Sequence, residues 1–251
     1  GGQKAMSRIL LEVCVDDAAG IAAAAAGGAD RIELCAALSL GGLTPSAGLI
    51  ALAAEGPLPA MAMIRPRAGD FCWSVSERKA MLAEIAAVRQ AGLAGVVIGA
   101  SLPDGRLDRD CLAELVAASE GLDVTVHRAI DLVPDIAEAM ALCAALGIKR
   151  VLSSGGTMRA SDGVARLAAM AGHGISVMPG GGVSAGNAAE IAARIPPIRE
   201  MHASCSQLLP VPADARIAAF GFQPAGARGT DAALVRGLRL ALDQISARPL
   251  G

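Results

Sequence analysis

Two tetrapeptides, LEVC at 11–14 and IELC at 32–35, each set a carboxylate two residues before a thiol inside an apolar run. Glu12 and Glu33 suit proton transfer, whereas Cys14 and Cys35 suit a soft ion such as Cu(I) far better than calcium or magnesium. A buried thiol also serves as a small inert hydrophobe, so both uses of the cysteines stay open. Downstream, IRPRAGD (64–70) carries Arg65, Arg67 and Asp70. Paired guanidinium groups suit a carboxylate or phosphate held bidentately; alternatively Arg65 pairs with Glu12 or Glu33 as a structural ion pair. HRAID (127–131) offers His127 as an acid–base candidate, Arg128 as an anion donor and Asp131 to orient a neighbour. A hydrogen-bonded core imidazole is the plainer use of His127. SSGG (153–156) and PGGG (179–182) place Ser153, Ser154, Gly155, Gly180, Gly181 and Gly182 in turns whose backbone N–H groups can approach an anion. The same glycines also simply make tight turns. Glu200, His202 and Ser204, alternating near the C-terminal third, complete the set.

These residues sit at the ends of short apolar runs. The pattern predicts strands at 9–15, 30–35, 60–65, 95–99, 122–127, 149–154, 175–180 and 198–203. Helices are predicted near 16–27, 46–55, 75–91, 109–120, 134–146, 161–172, 184–194 and 231–247. Gly27, Gly92, Gly121 and Gly147 mark helix ends. Eight strand–helix units in one chain predict a (β/α)8 TIM barrel, an open doubly wound sheet being the alternative. Period two turns Glu12, Glu33, Arg65, His127, Glu200 and His202 into the barrel, with Arg31 sharing the face of Glu33 and Cys35. It places Glu12 and Glu33 one layer below Cys14 and Cys35. In such barrels the strands' C-terminal ends carry the chemistry. Phe71, Trp73, Phe220 and Phe222 fall in the loops after the third and eighth strands. The second of these, 204–230, is long enough to be a lid or a subunit contact.

The chain has 251 residues, 53% of them hydrophobic, and a net charge of −2. That composition supports one large core and excludes disorder, while the absence of a basic block argues against nucleic acid or an anionic membrane as partner. No apolar run reaches membrane-spanning length. Gly1–Ala5 read as an added leader before a native Met6, with a single domain over 6–251 and a cytoplasmic setting. The six cysteines are widely spaced without C-x-x-C and read as reduced thiols.

Five segments in order, LEVCVDDAAGIAAAAAGGADRIELCAALSLGGLTPS, MIRPRAGDFCWS, VTVHRAIDL, RVLSSGG and VMPGGGV, resemble the CutC family, named for copper homeostasis. The resemblance spans roughly 9–205. It departs at Ile130, where the family usually has Phe, and at the MHASC end of the last strand. It implies a TIM barrel, a cytosolic homodimer, and Cys14 and Cys35 as the cysteines proposed to hold Cu(I). The charged mouth keeps a second expectation open, an isomerase or lyase acting on a small anionic or phosphorylated molecule without an organic cofactor. In that reading Arg65 and Arg67 clamp the anion, Glu12, Glu33, His127 or His202 moves protons, and Asp131 orients a neighbour.

Overall fold

The computed structural model describes residues 8–246, so the leader reading of Gly1–Ala5 lies outside the described residues. Eight parallel strands follow the expected order: β1 Leu10–Val15, β2 Arg31–Leu34, β3 Ala60–Met63, β4 Gly95–Ile98, β5 Asp123–Val126, β6 Arg150–Ser153, β7 Ser176–Pro179 and β8 Glu200–Ala203. Each pairs with its sequence neighbours, β8 with β1, and β7 lies beside β8 without a ladder among the described residues. The result is a nearly closed (β/α)8 barrel.

Seven helices separate the strands: α1 Ala18–Gly27, α2 Ala47–Glu55, α3 Val75–Ala91, α4 Arg109–Ala118, α5 Ile136–Ala145, α6 Val164–Ala169 and α7 Ala188–Arg194. Their starts are written locally. Asp17, Ser46, Asp108 and Asp135 each accept a backbone N–H of the first turn, and Ser74 with Glu77 forms a full capping box. The end of α1 differs from expectation. Gly28, at φ 91°, is the left-handed cap, while Gly27 is the last helical residue. A Cβ on Gly27 would lie 2.4 Å from Val235 of the last helix, α9 Ala232–Ser246, so this glycine permits helix contact rather than a turn.

Two apolar clusters follow from the strand parity. The large one joins the outward faces of the strands, for example Leu11, Val13, Ile32 and Leu34, to helix residues such as Ile85, Leu112 and Met140. Each such side chain contributes roughly 1.5–3 kcal/mol by leaving water. The small one, Cys35, Met61, Met63 and Val97, fills the barrel interior. The 204–230 segment is more ordered than a loop. Ser206–Leu208 (β9) and Arg228–Thr230 (β10) pair as an antiparallel ribbon, with a short helix α8 at Ala215–Ala219 between them.

Candidate functional site

The inward faces of β1, β2 and β8 build one wall. Strand register sets Glu12 beside Arg31 and Cys14 beside Glu33, so Glu33 is level with Cys14 and Cys35 stands above both. The expected layering of two glutamates under two cysteines is therefore corrected, because barrel closure staggers each strand against the last. Arg31 donates from Nε to Glu12 at 2.5 Å and from Nη1 to Glu200 at 2.8 Å. Arg150, at the start of β6, donates to Glu200 at 2.7 Å and to Asp123 at 2.9 Å, and Ser176 is the third partner of Glu200. This ionic layer forms the barrel floor. It shows that the counter-ion of Glu12 is Arg31, not Arg65, a role that inward parity permits and that residue type alone does not assign.

Above the floor, His202 Nδ1 lies 2.8 Å from Glu12 Oε1. Burial opposes a charge on Glu12, yet the bond to His202 and the field of Arg31 outweigh it and bring its pKa to about 2. Burial likewise opposes charge on His202. The field of Glu33 and the bonds to Cys14 and Glu12 prevail, holding its pKa well above the usual imidazole value. Glu33 behaves oppositely to Glu12: burial, joined by the charge of Glu12, raises its pKa. Its Oε2 is buried without a partner among the described residues, and its Oε1 accepts from Cys35 Sγ at 3.3 Å. Burial and the neighbouring Glu33 keep the Cys35 thiol protonated, its pKa raised well above the usual range. Glu12, Glu33 and His202 each present a ligand atom within 4.8 Å of the others.

The opposite wall comes from β5 and the loops beside it. His127 packs on Gly99, where a Cβ would lie 2.1 Å from the ring, and Phe71 sits 4.9 Å from it centroid to centroid. Burial and the charge of Arg65 lower its pKa to about 3, so the ring is neutral. Its Nε2 is buried and has no partner among the described residues. Arg65 stacks on Phe71 at 5.2 Å and donates to the carbonyls of Leu40, Gly42 and Gly69, leaving Nε unpartnered.

Between the walls opens a cavity of about 980 Å³. Of the candidate residues, Glu33, Arg65, His127, Arg128, Asp131, Gly181, Gly182, His202, Ser204 and Cys14 line it. Glu12 lies beneath, holding His202, and Cys35 lies among the interior methionines. Three groups of the expected anion set are engaged elsewhere. Arg67 stacks on Trp73 at 4.8 Å and pairs with Glu77 and Asp70, away from the cavity. The SSGG turn already holds the chain's own carboxylate: Asp131 accepts from Ser153 Oγ at 2.6 Å, Ser154 N at 3.1 Å and Gly156 N at 3.1 Å. Gly155 N donates to Ser153 Oγ and Arg128 braces the latch through Asp131 and Ser154. Gly180 N is spent on the Ser153 carbonyl. In the second turn the backbones of Gly181 (φ 98°) and Gly182 (φ 66°) are left-handed, and neither N–H meets an acceptor among the described residues. The 204–230 excursion supplies the cavity's remaining side through Ser206, Phe222 and Arg228. Phe222 is marked by its type in a long loop at the mouth, whereas neither strand pattern nor motif singles out Ser206 or Arg228.

The described residues contain no helix long and apolar enough to cross a membrane. The CutC family model matches residues 9–207. A CutC protein of Rhizobium meliloti (strain 1021) is 50% identical over 97% of this chain and 100% of its own. One from Caulobacter vibrioides (strain NA1000 / CB15N) is 53% identical over 91% and 94%. A solved CutC structure from Streptococcus agalactiae, whose name refers to copper homeostasis, superposes with a TM-score of 0.74 at 28% identity, covering 78% of this chain and 98% of that one. The chain belongs to the CutC family.

Proposed function

We propose that the barrel mouth binds a small anionic molecule and acts on it by proton transfer, as an isomerase or lyase. The observation that carries this reading is that three buried polar atoms without partners among the described residues, Glu33 Oε2, Arg65 Nε and His127 Nε2, belong to residues lining one cavity. An unmet buried polar atom costs about 1–3 kcal/mol, a cost that a ligand would relieve. Arg65, Arg128, Ser204 and the Gly181 and Gly182 N–H groups supply the anion's donors, and Glu33, poised by burial, moves the proton. Inorganic phosphate should raise the melting temperature of the protein and give a measurable heat of binding. Ser204→Ala, which removes one hydroxyl donor from the cavity wall, should weaken that binding several-fold while the circular dichroism spectrum stays that of a barrel. No phosphate binding at millimolar concentration would remove the basis of the reading.

A second reading, Cu(I) binding in copper homeostasis, is favoured by soft atoms: Cys14 lines the cavity, and Cys35 packs with Met61 and Met63. The thiol proton of Cys35 would have to leave on binding. Competition against a Cu(I) chelator should show one ion per chain, lost in Cys14→Ser/Cys35→Ser. Equal affinity in the double variant would eliminate those ligands. The family resemblance also supports a cytoplasmic homodimer, to be weighed by light scattering.

A further inference from the structure

We infer that His127 acts as a neutral hydrogen-bond donor, presenting Nε2–H to the oxygen of a carbonyl group in the bound anion as charge develops there. The inference rests on the anion-site reading above and narrows its substrate class to small anionic carbonyl compounds.

The tautomer is fixed by the backbone. His127 ends β5 and caps a short 3-10 helix, Arg128–Leu132, where its Nδ1 accepts from the Ala129 N–H at 3.1 Å. A backbone N–H cannot act as an acceptor, so Nδ1 must carry a lone pair and the single proton of the neutral ring must be on Nε2. The ring cannot readily turn over. Gly99 allows it to lie flat on β4, Phe71 covers it, and only 4% of the residue is exposed. Protonation is disfavoured by this burial and by Arg65, with Asp131 pulling weakly the other way. A group so placed is a poor base, because its one basic nitrogen is occupied. It is instead a preorganised donor in a water-poor site, the arrangement that stabilises a developing oxyanion. Glu12, His202 and Glu33 occupy the opposite wall, since β5 stands across the barrel from β1 and its neighbours.

The step balances with these groups alone. A C–H bond beside the carbonyl breaks, and its proton passes to the ionised Glu33 carboxylate. The bonding pair forms a C=C bond while the carbonyl pair moves to oxygen, where Nε2–H holds the enolate. Where the carbon that loses the proton bears a hydroxyl, that hydroxyl's proton passes to the enolate oxygen. Glu33 returns its proton to the former carbonyl carbon, so the carbonyl and hydroxyl exchange places without an oxidant or reductant.

Two measurements test the inference. Long-range 15N–1H spectra, assigned with His127→Phe, should show Nε2 protonated and Nδ1 bare from about pH 5 to about pH 8. An Nδ1–H ring or an imidazolium at neutral pH would overturn it. Calorimetry should then compare inorganic phosphate with phosphoglycolohydroxamate, an anion that adds an enolate-like oxygen. The hydroxamate should bind about tenfold tighter than phosphate, and His127→Phe should lose that advantage while His127→Gln keeps part of it. Phosphate binding without a His127-dependent gain sinks this inference alone. Binding of neither probe sinks the anion site and this inference together.

Discussion

Glu12 and Glu33 share one buried wall, yet their surroundings move their pKa values in opposite directions. Glu12 meets His202 and Arg31, while Glu33 meets a thiol and a like charge. Because folding lowers the pKa of Glu12 from 4.5 to about 2, the folded chain releases that proton more readily than the unfolded one. The stability it contributes is therefore full above about pH 4.5 and is lost as pH falls towards 2. His202 runs the other way: its folded pKa is raised above 6.5, so its contribution is complete below that value and fades as pH climbs through the raised one. Glu12→Ala should strip Arg31 and His202 of a shared partner and cost roughly 3–5 kcal/mol in urea unfolding. It should also flatten the loss of stability between about pH 4.5 and 2, the interval set by its two pKa values. An acid-unfolding curve unchanged in shape would show that other carboxylates govern it.

At the scale of elements, the two glycine turns after β6 and β7 look alike as strings and differ in what they hold. The SSGG turn closes on Asp131 from the 3-10 helix after β5, joining two consecutive βα connections. Asp131→Ala should leave the Ser154 and Gly156 N–H groups unmet and lower stability by about 2–3 kcal/mol, read as a drop in the urea midpoint at unchanged slope. What the sequence made legible here was local: helix caps, strand parity and the order of eight units. The capture of a turn by a carboxylate 25 residues away from Gly156 was not, because nothing in either string encodes their approach. The same limit explains Arg65 and Arg67. Their type suggested an anion clamp, but loop carbonyls claim part of the first and Glu77 with Asp70 claims the second. Register hid Arg31 and Arg150 too, since a stagger between strands depends on closing the whole barrel. Inward parity was the available signal, for two buried glutamates on a sheet face require cations on that face.

For the whole molecule, the barrel supplies a cup and the ribbon excursion supplies its rim. None of α8 is buried, and Leu208, Val211, Phe220 and Phe222 are exposed, so little of the core depends on this segment. Replacing residues 209–227 by a short Gly-Ser link should leave cooperative unfolding nearly intact, because the barrel core is retained. Phosphate affinity should fall several-fold through loss of the wall at Phe222–Ala227. Calorimetry of the shortened chain decides the matter; affinity equal to that of the full chain would mean the ribbon serves another end.

The ionic floor of Arg31, Glu12, Glu200, Arg150 and Asp123 has a consequence for traffic. Charged bonds knit the bottom of the barrel shut, so the cup is a cul-de-sac with a single doorway at the strands' C-terminal ends. Whatever enters must back out past the same ribbon. Two occupants would have to queue, and a spent molecule would bar the next until it departs.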